Sequence, residues 1–345
     1  GKKARLLFSW DEFDRFRKVP VNVKEVAPEL ENEIGKPYVD VKDPYGCCSS
    51  YAEHFEKEFE ASLSRFGVKV DFRRQSENYR SGKYAKYVIQ AVQKRREIFD
   101  ILDKFRQQVA TPEEREAYYP VSIYCPVCGK DETTITSSSE DGVTCEYTCK
   151  CGHKGTWDFS KDFNCKLAWK IDWPMRWMIE GVDFEPGGKD HASPGGSYDT
   201  SKIIAKKIFG AQAPMFKGYE FVGIKGTTGK MSGSTGLNLT PDTLLKIYQP
   251  EMILWLYSKS EPNKAFDFCF DDEILRQYFE FDKMLKVYQA GKGKNYDYIE
   301  GIMHNCMIEG RELYPVPMQQ IVNFGSVVDF NADMLETVFE KIGTP

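Results

Sequence analysis

The sequence predicts an α/β fold that carries a small cysteine-rich β insertion and turns mainly helical toward its end. Three observations predict it. Short apolar runs alternate with amphipathic stretches up to about residue 110, the segment from about Val121 to Trp157 shifts to Cys, Thr, Ser and Gly, and beyond Pro241 helical periodicity dominates. At 345 residues the chain exceeds the roughly 250–300 at which one hydrophobic core stops growing, so two or three domains are expected.

Taken in order, the run Arg5-Leu6-Leu7-Phe8-Ser9-Trp10 reads as the opening strand. Tyr51, Phe55, Phe59, Leu63 and Phe66 recur at helical spacing as a core-facing stripe, and Gly67 ends that helix before a strand at Val68–Phe72. Between Val121 and Trp157, alternating runs such as Thr133-Thr134-Ile135-Thr136 predict short strands. A tryptophan-rich helix is expected from near Trp173-Pro174, then a strand at Val182–Glu185, then a helix from about Ser197 to Phe209 stopped by Gly210. Pro241 suits a first helical position after Thr240, and Asp271–Gln289 and Ala332–Ile342 are the clearest later helices. The longest apolar candidate, Met252–Tyr257, falls short of the roughly 18 residues that span a bilayer and reads as a buried helix face. There is no internal repeat and no low-complexity tract.

Apolar residues at 41% and charged residues at 29% are those of a soluble globular protein. A net charge of −5 argues against indiscriminate nucleic-acid binding but leaves room for a shaped RNA site. Local basic clusters lie at Arg15–Lys18, at Arg73-Arg74 through Arg80, Lys83 and Lys86, and at Lys94–Arg96; each alone reads first as a solvated face. No charged-then-apolar leader opens the chain, so a cytoplasmic location is the expectation, and no membrane partner is expected. Oligomeric state is not readable from these features.

Four of the ten cysteines form Cys125-x-x-Cys128 and Cys149-x-Cys151, which fits a reducing compartment with a metal site better than a disulfide framework. Two tight turns joined by a hairpin can close four thiolates around one structural zinc, with Gly129 and Gly152 giving each turn room. Cys145 and His153 are near enough in sequence to replace one ligand.

No Walker-type phosphate loop occurs. The stretch Lys225–Gly236 is dense in Gly, Ser and Thr and carries Lys230, the parts needed to follow a triphosphate as charge builds. Gly187-Gly188-Lys189-Asp190-His191 puts a glycine turn at the carboxyl end of a strand, the edge at which open α/β sheets bind ligands. There Gly188 lets a nucleotide approach, Asp190 can accept from ribose hydroxyls, and His191 is a ligand contact or a satisfied core histidine. Trp169-Lys170-Ile171-Asp172-Trp173 offers a carboxylate beside aromatic walls for an ammonium group, or equally a helix start with Asp172 as its N-cap.

Lys230-Met231-Ser232-Gly233-Ser234 resembles the KMSKS loop of class I aminoacyl-tRNA synthetases, and its neighbours resemble the lysine-specific branch. The supporting stretches are Ser9–Pro20, Asp43-Pro44-Tyr45-Gly46-Cys47, Ser50–Phe55, Tyr79–Tyr84, the cysteine ribbon, Trp169–Trp177, and Gly188–Ala192 with Gly195–Asp199. They cover nearly the whole chain in the right order. The resemblance implies a Rossmann-type class I synthetase catalytic domain, interrupted by an insertion with a zinc ribbon and followed by a C-terminal α-helical stem leading toward an anticodon-binding domain. It implies domain spans of 1–120, 121–158, 159–240 and 241–345.

The implied reaction joins L-lysine and ATP, with Mg2+, to lysyl-adenylate and passes the lysyl group to tRNA(Lys). By the same resemblance Lys230, Ser232 and Ser234 are catalytic and grip phosphates, and Gly188, Asp190 and Lys230 hold ATP. Trp169, Asp172, His191 and Tyr219 hold lysine, and Cys125, Cys128, Cys149 and Cys151 hold zinc. Three departures stand out. Nothing like the family's HIGH motif occurs, and the chain, which opens on Gly1, is expected to be part of a synthetase whose ends lie outside it. Gly233 and Thr235 stand where lysines are usual, so one mobile charge is lost, and the helical region is shorter than the family's. The competing expectation is a weakened or inactive paralogue that binds RNA or protein.

Overall fold

The computed structural model describes residues 4–106, 108–227, 239–313 and 316–343, and these fall into two compact units. The first is built from residues up to 58 and from 70 to 220, the second from 59–69, the described residues of 221–231, and those beyond 238.

In the first unit β1 (Leu7–Trp10) leads through a short helix, α1 (Val21–Lys24), to the first half of α2 (Tyr51–Ser64), whose residues from 59 on belong to the second unit; the chain returns as β2 (Asp71–Arg74), parallel to β1 with Leu7 opposite Asp71. The first two residues of the predicted stripe are inward, Tyr51 and Phe55 packing with Phe16, Val23 and Leu30. Four helices follow: α3 (Gln75–Arg80), α4 (Ala85–Gln93), α5 (Arg95–Asp103) and α6 (Pro112–Ala117). The cysteine-rich segment is β throughout, with β3 (Val121–Ile123), β4 (Thr133–Ser138), β5 (Thr144–Cys149), β6 (Lys154–Asp158) and β7 (Cys165–Leu167). The antiparallel sheet β4-β5-β6 hangs from the antiparallel pair β3-β7 and shares one core with Val88, Ile98 and Ile171.

The tryptophan-rich helix α7 runs Trp169–Glu180, starting four residues earlier than expected, and Ala168 rather than Asp172 is its N-cap. Pro174 therefore lies inside the helix, where it cannot donate to the carbonyl of Lys170. The Ser201 hydroxyl of α9 (Ser197–Lys207 below) donates to that carbonyl at 3.1 Å and satisfies it. Gly181, at φ 63°, closes the helix in a left-handed cap. The chain continues into β8 (Phe184–Gly188), α8 (Lys189–Ala192), α9 (Ser197–Lys207) and β9 (Met215–Tyr219), with β8 and β9 parallel. Strand β8 thus begins two residues later than its apolar pattern suggests. Among the described residues the parallel strands form separate two-stranded pairs rather than one sheet, and β9 covers its inner face by packing Phe216 on the tryptophans of α7.

Among its described residues the second unit contains a parallel pair, β10 (Val222–Ile224) with β11 (Phe266–Phe268), and is otherwise built on helices. Its helices are α10 (Pro241–Leu245), α11 (Pro250–Lys259), α12 (Glu273–Ala290), α13 (Tyr296–Met303), α14 (Met318–Val327) and α15 (Ala332–Lys341). Thr240 caps α10 by accepting from the Thr243 amide at 3.2 Å, with Pro241 at the first helical position. The apolar run of α11 is buried, Met252 and Trp255 packing with Phe281 and Met303. Among the described residues no helix is long and apolar enough to cross a membrane.

Candidate functional site

The β8-β9 pair ends in a tight carboxyl edge, with Gly187 opposite Gly218 and Gly188 opposite Tyr219. The closeness demands glycine. A Cβ on Gly187 would fall 2.5 Å from the Phe216 ring, and one on Gly196 would fall 2.7 Å from the Ser193 carbonyl. Directly after this turn α8 carries the exposed Asp190 and the half-buried His191. His191 faces aromatic walls, its ring 6.3 Å from Trp169 and 5.8 Å from Trp173, and Trp169 stacks on Trp173 at 5.0 Å and 18°. Tyr219 is 45% exposed at the end of β9. Gly188, Asp190, His191, Tyr219 and Trp169 therefore share one strand-end region, the kind of edge that receives ligands in parallel α/β pairs.

Asp172, expected from the resemblance to help hold lysine, is not exposed at that surface. Its side chain is fully buried, and its carboxylate accepts from the Tyr79 hydroxyl and the Arg176 guanidinium, with the Lys166 ammonium at 3.4 Å. Burial by itself would raise this carboxyl, but the charges of Arg176 and Lys166, with hydrogen bonds from Arg176 and Tyr79, outweigh it and hold the group below its ordinary value. A ligand ammonium would have to evict a buried cation to reach it. Arg176 extends the knot to Asp11 at 2.7 Å and Ser9 at 3.3 Å, and lies 5.8 Å from the centre of the Trp169 ring. Next to it the buried Glu12 carboxylate accepts from the amides of Gln75 and Ser76 and from the Ser76 hydroxyl, capping α3. The exit of β1 is thus bolted to α3 and α7.

The four cysteines of the ribbon converge. Sγ of Cys125 lies 3.7 Å from that of Cys151, Sγ of Cys128 lies 3.6 Å from that of Cys149, and all four fall within 4.8 Å of one another. A tetrahedron with Zn–S near 2.3 Å requires S···S spacings of about 3.8 Å, so the donor set fits zinc with no open position. Gly129 (φ 73°) and Gly152 (φ 94°) make the turns, and the His153 amide donates toward the Cys151 sulfur and lowers its pKa. His153 packs instead against Tyr147, 5.9 Å between rings, and Cys145 lies on β5 opposite Trp157. Neither belongs to the group of four.

A second convergence was not anticipated. Asp43, Cys47, Cys48 and His54 bring their ligand atoms within 4.8 Å of one another. Cys47 Sγ is 3.2 Å from His54 Nδ1 and 3.9 Å from Cys48 Sγ, while Asp43 Oδ1 is 3.3 Å from His54 Nδ1. The amides of Cys47 and Cys48 both donate to Asp43 Oδ2 at 2.7 Å, fixing the carboxylate at the hub of its loop. A thiol, thiol, imidazole and carboxylate set of this kind suits a borderline-soft divalent cation. The signal was present as Asp-x-x-x-Cys-Cys-x-x-x-x-x-His, but mixed donors at uneven spacing lack the paired pattern that marks a ribbon.

The basic clusters are largely neutralised. Arg73 and Lys83 pair with Glu180, Arg74 with Glu56, Arg80 with Asp40, Arg96 with Glu116 and Arg15 with Asp131, which favours their reading as solvated faces. Lys230, Ser232 and Ser234, together with Gly233 and Thr235, lie outside the described residues.

Residues 1–308 match the family model described as tRNA synthetases class I (K). The chain is 45% identical over 288 residues to a lysine–tRNA ligase of Thermococcus kodakarensis, covering 84% of this chain and 54% of that protein. It is 42% identical over 296 residues to the lysine–tRNA ligase of Pyrococcus horikoshii, covering 85% and 55%, and 39% identical over 288 residues to that of Treponema pallidum, covering 83% and 54%. The chain spans about half the length of the curated relatives it matches.

Proposed function

Because this chain belongs to the class I tRNA synthetases of the lysine (K) type, we propose that it carries the lysine-activating part of a lysine–tRNA ligase acting in the cytoplasm. The lysine carboxylate attacks the α-phosphate of ATP, the bond to the β-phosphate oxygen breaks, and lysyl-adenylate and pyrophosphate form. The lysyl group then passes to the terminal adenosine of tRNA(Lys). The observation that carries this reading is the β8-β9 edge, where a side-chain-free glycine turn, an exposed carboxylate at Asp190 and an aromatic wall beside His191 meet.

In this reading the Gly187-Gly188 turn takes the adenosine at van der Waals distance and Asp190 accepts from its ribose. Trp169, His191 and Tyr219 bound the lysine side chain, where aromatic faces can hold an ammonium. Lys230, Ser232 and Ser234 grip the phosphates, with Mg2+ accompanying ATP, and stabilise the charge that builds at the α-phosphate. Asp172 serves as a buried buttress for Arg176, which stands over the Trp169 ring, rather than as a ligand. A zinc held by Cys125, Cys128, Cys149 and Cys151 supplies a structural cross-link, and Asp43, Cys47, Cys48 and His54 hold a second ion that fixes the loop before α2. We assign the spans 1–120 and 159–240 to a Rossmann-type catalytic domain, 121–158 to the zinc ribbon and 241–345 to a helical stem.

The test is lysine-dependent exchange of pyrophosphate into ATP by the full-length gene product, with tRNA(Lys) present. Exchange with lysine is expected, slower than usual for such enzymes by up to about 10²–10³ because one charged donor of the phosphate loop is missing. A folded protein with its metal bound that shows no exchange above background would replace this reading with that of an RNA- or protein-binding module.

A further inference from the structure

Two residues ahead of the glycine turn, Glu185 sits on β8 with its carboxylate turned away from water. The indole N–H of Trp177 donates to its Oε2 at 2.9 Å, and the neighbouring Trp173 indole also acts on the carboxylate, lowering its pKa. Both tryptophans are nearly buried, at 3% and 6% exposure. Trp173 lies 4.7 Å from Trp177, stacks on Trp169, meets the edge of Phe216 at 6.3 Å and stands 5.8 Å from His191. The carboxylate therefore holds the inner end of a run of three tryptophans, Trp177 tilted at 52° on Trp173 and Trp173 stacked on Trp169, whose outer end faces the strand-end region.

We propose that Glu185 is a positioning residue for the amino-acid side of the pocket, fixing Trp173 and Trp177 so that Trp169 and His191 present a rigid wall to the lysine side chain. The inference rests on the synthetase reading above. An indole N–H is a donor with no acceptor capacity, so the buried Trp177 N–H needs an acceptor, and keeping the Trp173 indole beside it needs one that presents no donor of its own. A carboxylate does this; a carboxamide offers one oxygen and sets an NH2 against the second donor. The geometry explains why burial, which raises the Glu185 carboxyl above its ordinary value, is tolerated here: the indoles supply hydrogen bonds that pull the other way. Because Glu185 is two residues from Gly187 on the same strand, it also ties the aromatic wall to the turn proposed for the nucleotide.

Glu185→Gln separates positioning from general stability. The expected result is a rise of about ten- to a hundredfold in the KM for lysine, from sub-ångström displacement of the wall, with the KM for ATP and kcat little changed. Trp177→Phe, which removes one donor while keeping the ring packing, should shift the lysine KM in the same direction by less, and serves if the glutamine variant fails to fold. An unchanged lysine KM in a folded Glu185→Gln protein, or equal rises in both KM values, overturns the positioning role while leaving the synthetase reading intact. If the unaltered protein shows no lysine-dependent exchange, that reading falls and this inference falls with it.

Discussion

Replacing Cys125 with serine is expected to remove one zinc per chain and to loosen the segment between β3 and β7. The sulfur spacings of 3.6 and 3.7 Å already match a closed tetrathiolate shell, so the ion would bind without rearrangement. A serine hydroxyl does not ionise near neutral pH, and three thiolates leave the shell open. Structural zinc in small modules is worth apparent free energies of about 10–16 kcal/mol, and the three-stranded sheet β4-β5-β6 has little other core of its own. Tyr147 and Trp157 do pack into the larger core with Val88 and Ile98, so the loss should spread into the first unit rather than stay local. Metal analysis with thermal unfolding reads both effects. About two ions per chain should fall to one, the survivor belonging to the Asp43 cluster, and Cys47→Ser should do the converse. A Cys125→Ser protein with undiminished zinc would mean the ribbon does not bind it.

The second large effect is expected from Asp172→Ala. Removing one partner of a buried ion pair leaves the other under-compensated and typically costs about 3–5 kcal/mol, and here Arg176 and Lys166 lose their one fully buried partner and keep only the partly exposed Asp11 and Asp14. Denaturant unfolding at neutral pH should show that loss. Acid should reveal the same knot in the unaltered chain. The folded carboxyl lies below its ordinary 3.8, so the stabilisation from Asp172 is complete at higher pH and is lost as the pH falls through 3.8 toward the folded value. Glu12 and Glu185 act oppositely, their carboxyls being raised above 4.5 by burial, so their ionisation costs stability that is recovered on mild acidification. The alanine variant should therefore lose less stability than the unaltered chain between neutral pH and pH values below 3.8. A variant that unfolds at the same denaturant concentration would deny the knot any structural weight.

What could be read before any coordinates was local. The stripe from Tyr51 to Phe66, the Gly67 stop at φ 67°, the Thr240-Pro241 cap and the paired cysteines each declare themselves within a dozen residues or through a fixed spacing. What could not be read depends on partners distant in sequence. Asp172 looks like an N-cap or a ligand until Tyr79, 93 positions away, closes over it. Pro174 looks like a helix start because the hydroxyl that makes it tolerable, Ser201, belongs to another helix. The clamp at Glu185 was hidden for a related reason: a glutamate in a strand pattern does not reveal that the Trp177 indole of the preceding helix donates to it.

The most direct test of the proposed chemistry is a crystal structure of the chain bound to a non-hydrolysable lysyl-adenylate analogue. The adenosine should lie against Gly187-Gly188 with its ribose at Asp190, and the lysyl side chain should end among Trp169, His191 and Tyr219 while Asp172 keeps Arg176 and Lys166. An analogue bound elsewhere, or one whose ammonium displaces Arg176 to reach Asp172, would contradict it.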